Sequence, residues 1–207
     1  MDSISQLALA GGLAWASGFR LYAAILIVGL LGRYDVVHLP DQLLVLQHTW
    51  VLVAAGVMAI GEFLADKVPG FDSVWDAIHT FIRIPAGAFL AWGAMGNETP
   101  ALQFAAGLVG GLITSGTHLA KSGGRAAINT SPEPFTNWTA SFGEDGLLLG
   151  GLFLAVQHPA VFLVALLVFL AFVIWLLPRL WRFIRNVLRW MSGNDKAPAP
   201  SLPAPNG

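Results

Sequence analysis

Long apolar runs separated by short polar breaks make up most of this chain. The longer runs cover roughly residues 4–31, 50–65, 84–96, 101–120 and 160–177. A helix needs about 20 apolar residues to cross the hydrocarbon core of a bilayer, so runs of this kind predict membrane-spanning helices. A shorter run over residues 146–156 either crosses the membrane or re-enters it. The pattern predicts an all-α, polytopic integral membrane helix bundle with about six transmembrane segments.

Polar and proline-containing segments mark the predicted connections between these helices. They cover residues 33–47, 97–100 and 129–145. Arginines follow the last apolar run beside aromatic and aliphatic residues, a pattern typical of a basic amphipathic helix at the membrane surface. These arginines are Arg179, Arg182, Arg185 and Arg189. Residues 192–207 are rich in proline and alanine, which predicts a disordered tail behind a transmembrane domain of residues 1–191.

Composition agrees with a membrane protein and excludes several kinds of site. Hydrophobic residues make up 56% of the 207-residue chain and charged residues only 11%, whereas an average soluble domain has about 25% charged residues. The mean hydropathy is +0.67. A net charge of −1 gives no indication of a nucleic-acid partner. Because the chain has no cysteine, disulfides, thiolate metal sites and cysteine nucleophiles are excluded.

Ionisable residues are concentrated between residues 62 and 83. If the chain is helical from residue 72 onward, four of them form one polar stripe at spacings i, i+4, i+7 and i+11. The stripe consists of Asp72, Asp76, His79 and Arg83. Its simplest interpretation is the wet face of a surface helix in the headgroup region.

The alternative interpretation of the stripe is a binding site shared with the preceding helix. Carboxylates and imidazole suit a divalent cation such as Mg²⁺, Mn²⁺ or Zn²⁺, and the adjacent arginine could hold a phosphate. The candidate metal ligands are Glu62, Asp66, Asp72, Asp76 and His79. No recognised metal motif is matched, so the cofactor stays open.

Arg20 lies in the middle of the first apolar run. A charged side chain at that depth costs at least about 2.5–3.5 kcal/mol, so we expect Arg20 to face the bundle interior and to meet a carboxylate. Glu62 and Asp66 are the candidate partners. His118 takes the corresponding place in the second half of the chain.

Lys121 and Arg125 flank a Ser-Gly-Gly sequence after the fourth apolar run. The main interpretation is a cytoplasmic anchor, because positive residues accumulate on that side of a membrane. The alternative is an anion site that combines backbone N–H groups with two cations.

Lysine and arginine are distributed unequally between the two predicted sides of the membrane. With six crossings and cytoplasmic termini, Lys67, Lys121, Arg125 and the C-terminal arginines all face the cytoplasm, while Arg33 faces outward. The sequence therefore predicts a multi-pass protein of the bacterial inner membrane with both termini in the cytoplasm.

Two short segments resemble each other at a constant offset. They are Gly12…Ser17-Gly18-Phe19-Arg20-Leu21 and Gly110…Ser115-Gly116-Thr117-His118-Leu119. Three predicted crossings separate them, so they would have opposite orientations, as in transporters built from inverted repeats. Short motifs recur easily in apolar sequence, and the inverted repeat is therefore a hypothesis.

A recognisable series of residues begins at Glu62. It reads Glu62-Phe63-x-Ala65-Asp66-Lys67-x-Pro69, then Asp72, Trp75-Asp76, His79-Thr80 and Arg83-x-Pro85-Ala86-Gly87. This series resembles the signature of a bacterial membrane protein family known only as domain of unknown function 4126. Residues 115–129 are similar to the second half of that family, and the resemblance covers most of residues 5–180. It implies an integral membrane protein and carries over no catalytic role.

Three functions are compatible with the sequence. The leading hypothesis is a transporter or channel for a small ion or solute, with Arg20, Glu62 and Asp66 along its path. The second is a membrane-embedded, metal-dependent enzyme that acts on a lipid phosphate. The third is a helper subunit that binds a partner through the glycine-rich helix of residues 101–120. The expected partners are the lipid bilayer and a small ion, solute or lipid phosphate, and assembly into a homo-oligomer is compatible with all three.

Overall fold

The computed structural model describes residues 2–68, 70–129 and 134–191, and the regular structure in these ranges is entirely helical. The helices are α1 (Ser3–Arg33), a short 3-10 helix (Asp41–Gln47), α2 (Thr49–Ala65), α3 (Phe71–Ala94), α4 (Pro100–Ile128), α5 (Pro134–Gln157) and α6 (Pro159–Met191). The all-α class is as predicted. The predicted tail of residues 192–207 lies outside the described residues.

Several of the helices described here are long and apolar enough to cross a membrane. By length and composition these are α1, α5 and α6, and a fourth span results if the 3-10 helix and α2, which meet at 66°, count as one. Large apolar side chains remain exposed along the bundle, as expected where the surrounding medium is lipid rather than water. The protein is therefore a helical membrane protein.

Two helices are longer than the apolar pattern predicts. α3 joins the polar stripe to the apolar run of residues 84–96 in one helix that contains Pro85. α4 continues to Ile128, beyond the apolar run of residues 101–120 and through the segment between Lys121 and Arg125. In both helices the ionisable residues lie on the inner face, so the apolar run alone underestimates the length of the helix.

The predicted connector of residues 129–145 is mostly wrong. α5 begins at Pro134, and the short apolar run of residues 146–156 is its second half. A continuous helix of 24 residues is about 36 Å long at 1.5 Å per residue, which is enough to span a bilayer. α6 likewise runs without interruption from its apolar part, through Pro178, into the arginine-rich segment.

Hydrogen bonds from helices to connecting segments mark two ends of the bundle. At one end, the indole of Trp138 in α5 donates to the carbonyl of Lys67, between α2 and α3, at 3.3 Å. At the other end, Gln42 of the 3-10 helix donates to the carbonyl of Gly96, between α3 and α4, at 3.2 Å. The segments that the charge distribution assigns to one side of the membrane thus meet at one end of the bundle.

α1 lies at the centre and packs against each of the other helices. Its small residues allow close approach: Gly18 lies against α4, where the hydroxyl of Thr114 donates to the carbonyl of Ala14 at 2.8 Å. The apolar core follows α1 along most of its length and includes Leu13, Trp15, Leu90, Leu152 and Phe162.

Replacement of Gly18 by alanine should destabilise the protein. The added Cβ would lie 2.5 Å from the Cβ of Thr117 and 2.8 Å from the carbonyl oxygen of Thr114, and overpacking of this kind costs about 1–3 kcal/mol. We expect a lower midpoint of thermal unfolding in detergent. Gly124→Ala is the matched control, because nothing lies within 4 Å of its added Cβ. Equal midpoints for the two variants would contradict the close packing of α1 on α4.

Candidate functional site: a buried ionic network

The polar stripe of α3 faces the inside of the bundle. Asp72, Asp76, His79 and Arg83 are at most 6% exposed, whereas Phe81 on the opposite face is 83% exposed. The interpretation of the stripe as the wet face of a surface helix is therefore wrong. α3 is amphipathic with its apolar face outward, toward lipid, and its charged face inward, where the charged side chains form ion pairs and hydrogen bonds.

Every residue predicted to bind an ion or solute is buried, and the helices that carry these residues converge on one region. The residues are Arg20 of α1, Glu62 of α2, Asp66 directly after α2, Asp72, Asp76, His79 and Arg83 of α3, and His118, Lys121 and Arg125 of α4. We call the side chains joined by ion pairs in this region the ionic network.

Asp66 pairs with cations from two other helices. Its carboxylate lies 3.1 Å from Nη2 of Arg20 and accepts hydrogen bonds of 3.2 and 3.1 Å from Nζ of Lys121. Its backbone carbonyl accepts a hydrogen bond from Arg125 at 3.0 Å. Of the two carboxylates predicted as partners of Arg20, the structure selects Asp66, while Glu62 pairs elsewhere.

Arg83 organises the other half of the network. It donates to Oε1 of Glu62, lies 2.9 Å from Oδ1 of Asp76, and lies 3.2 Å from Nδ1 of His118. A guanidinium can only donate, so Nδ1 of His118 accepts. The hydroxyl of Thr80 donates to the carbonyl of Asp76 at 2.8 Å and therefore accepts from Nε2 of His118, 2.6 Å away. His118 is thus a neutral imidazole that carries its proton on Nε2.

α1 is broken at Arg20, whose backbone angles of φ −148° and ψ 84° are not helical. The carbonyl of the preceding residue, Phe19, accepts a hydrogen bond from Nζ of Lys121 at 3.0 Å. Irregular backbone at membrane depth persists only where the protein supplies such partners. The break and the network therefore depend on the same lysine.

α5 contributes acids that the sequence analysis missed. Glu144 accepts from Arg125 with both carboxylate oxygens, at 3.0 and 3.1 Å, and Asp145 lies 2.7 Å from Nε of Arg20. These residues were assigned to a connector because prolines and polar residues surround them. A usable signal was present, since Asn137, Ser141 and Glu144 follow the same helical spacing as the stripe of α3.

Asp72 and His79 lie at the margins of the network. The carboxylate of Asp72 accepts from Nδ2 of Asn129 at 2.9 and 3.2 Å and from the backbone N–H of Ser73 at 2.6 Å. It thereby joins the start of α3 to the end of α4. His79 lies 2.8 Å from the carbonyl of Trp75 and stacks on the indole of the same residue.

Within residues 2–68, 70–129 and 134–191, no group of three or more histidines, aspartates or glutamates is placed to hold a metal ion. The predicted metal ligands do not converge, because each predicted carboxylate already has a cation or an amide as its partner. The predicted anion site between Lys121 and Arg125 is not formed either. Both side chains point into the network and pair with carboxylates.

The residues of the network lie within a segment that matches a known family model. The model of the family described as domain of unknown function (DUF4126) matches residues 7–179. The chain belongs to this family. The match runs from the start of α1 into α6, so it includes the entire ionic network and confirms the resemblance drawn from the series at Glu62. No curated protein and no solved structure matches the chain.

Replacement of Asp66 by asparagine should destabilise the protein strongly. Arg20 and Lys121 would keep their charges and lose the carboxylate that they share, and removal of one partner from a buried ion pair costs about 3–5 kcal/mol. The midpoint of thermal unfolding in detergent measures the effect. Asp41→Asn removes an exposed acid and should change stability by less than about 0.5 kcal/mol. Equal midpoints for the two variants would contradict a central role for Asp66.

Proposed function

We propose that this protein is a membrane transporter or channel for a small ion or solute, and that the ionic network lies on its path. The proposal rests on one observation, the burial of connected acids and bases inside a helical membrane bundle. Ionisable side chains are rare in such bundles because they are expensive to bury, and they commonly mark ion and proton pathways. The broken helix α1 supports the proposal, since transporters often bind their substrates at interrupted helices.

The distances from Lys121 to three neighbouring acids favour a site that can rearrange over a purely structural ion pair. Nζ of Lys121 lies 3.1 Å from Asp66, 3.6 Å from Glu144 and 3.7 Å from Asp76. A small movement of this side chain would therefore exchange one acid for another at little cost. Networks with several nearly equivalent pairings can rearrange as an ion passes, whereas a single bidentate pair resists such change.

A cavity reaches the network from one side. It has a volume of about 220 Å³, and its polar lining consists of Lys121, Arg125 and Glu144, while Phe19 and Phe172 belong to its apolar lining. Glu62 and Asp66, in contrast, are fully buried. We therefore expect access to these two acids to require a movement of the helices, as in transporters that open alternately to the two sides.

Flux measurements on the purified protein in liposomes test the proposal. We expect movement of at least one small ion when gradients of H⁺, Na⁺, K⁺ and Cl⁻ are imposed in turn. Glu144→Gln should reduce this flux by about tenfold, the factor that corresponds to a barrier higher by about 1.4 kcal/mol. Glu98→Gln, at the opposite end of the bundle, is the control and should leave the flux unchanged. If none of these ions and no small solute moved, the proposal would be wrong.

We further propose that the protein lies in a bacterial inner membrane, with the connection at Lys67 and the arginine-rich end of α6 on its cytoplasmic side. Two observations support this orientation: the excess of lysine and arginine on one side, and the hydrogen bond that joins Trp138 to the connection at Lys67.

Reporter fusions test the orientation. Reporters placed after Lys67 and after Arg189 should read as cytoplasmic, and a reporter placed after Asn97 should read as external, because the positive residues favour the cytoplasmic side. Reporters on full-length and truncated chains should agree. An external signal after Lys67 would overturn the proposed orientation.

A further inference from the structure

Two buried acids share the single guanidinium of Arg83. Glu62 and Asp76 are at most 1% exposed, and both pair with this side chain. The third neighbour, His118, is neutral by the hydrogen-bond argument above. If both acids were ionised, the group would carry one negative charge more than Arg83 can balance. An uncompensated charge in a low-dielectric interior costs several kcal/mol, and a bound proton removes that cost.

The second cation near this group distinguishes the two acids. Oδ1 of Asp76 lies 3.7 Å from Nζ of Lys121 as well as 2.9 Å from Arg83. Glu62 forms its ion pair with Arg83 alone in the part of the chain that the structure describes. Asp76 is therefore the better stabilised anion, and Glu62 is the acid on which a proton is favoured.

The second carboxyl oxygen of Glu62 is compatible with a bound proton. Among the described residues, Oε2 of Glu62 is buried without a hydrogen-bond partner. An anionic oxygen in that position would lose its hydration and gain no donor in return, whereas a neutral hydroxyl loses about one hydrogen bond. Both carboxyl oxygens of Asp76 likewise lack a hydrogen-bond partner, but that acid has two cations, Arg83 and Lys121, within 4 Å.

The groups that face Glu62 from the surrounding helices do not change this conclusion. They are Arg20 and Tyr22 of α1, Asp66 at the end of its own helix, Asp76 and Arg83 of α3, and Lys121 of α4. Arg20 and Lys121 form ion pairs with Asp66 and, within the described ranges, none with Glu62. Asp66 itself is an anion and opposes a second negative charge nearby.

We propose that Glu62 is the proton-binding residue of the ionic network, held in the bundle as a neutral carboxylic acid that exchanges its proton at Oε2. This inference deepens the proposed transport function, because it names the proton as an ion that the network binds. The step is a simple protonation: one O–H bond forms on Oε2, the carboxylate charge is lost, and no other bond changes.

Infrared difference spectroscopy on the purified full-length protein tests the proposal directly. A protonated carboxylic acid has a carbonyl stretching band that a carboxylate lacks. We expect this band at neutral pH in the wild type, its loss at alkaline pH, and its absence in Glu62→Gln. The control Asp41→Asn changes an exposed acid and should keep the band. A wild type without the band, or a band that survives in Glu62→Gln, would overturn the proposal.

Two further measurements keep the test independent of variant folding and of transport. Labelling of the wild-type protein with ¹³C-glutamate should shift the band, whereas labelling with ¹³C-aspartate should leave it in place, and the reverse result would overturn the proposal.

The Asp76→Asn variant gives a second measurement. It should cause Glu62 to ionise, because Arg83 would otherwise have no anionic partner, so the band should weaken at neutral pH. A band of full strength in Asp76→Asn would contradict the charge balance. Liposome flux decides the transport function separately, because the band reports proton binding whether or not ions cross.

Discussion

Asp66 joins three of the helices because its carboxylate and its backbone carbonyl accept from cations that come from two other helices. Arg20 reaches it from α1, and Lys121 and Arg125 reach it from α4. All these groups are shielded from water. In such an environment each charge must meet an opposite charge or a dipole, since an orphaned ion costs several kcal/mol. This requirement constrains the rest of the structure more tightly than apolar packing, which tolerates many arrangements of similar volume.

The network and the close packing of the helices depend on each other. Ion pairs join α1, α2, α3 and α4, and they require the helix backbones to approach closely. Small residues permit that approach, as at Gly18, where a side chain would collide with Thr117. The break in α1 at Arg20 is satisfied in turn by Lys121. Apolar contacts along α1 fix the helices, and within the network Lys121 lies within 4 Å of three different acids.

Many residues of the ionic network could be predicted from the sequence, because charged residues are rare in this chain. In an apolar chain, Arg20 and the residues from Glu62 to Arg83 stand out, and their helical spacing places them on common faces. The spacing does not reveal whether such a face meets water or the protein interior, and the stripe of α3 was therefore open to the surface interpretation. α5 was missed for a different reason. Polar residues and prolines around its first turns are typical of a connector, and only packing against Arg20 and Arg125 shows that they form a helix.

The sequence by itself determined the helical membrane class, the family and most of the ionisable residues that meet in the bundle, because these follow from hydrophobic runs, motif and local spacing. Only the tertiary structure decided which acid meets which base. Arg20 pairs with Asp66 and Asp145, whereas Arg83 pairs with Glu62 and Asp76. Both pairs of Arg20 join helices that are distant in sequence. A hydrogen-bonded ion pair requires its atoms to approach to about 3 Å. Whether they do so depends on how far each helix slides and turns against its neighbours, which local spacing does not specify.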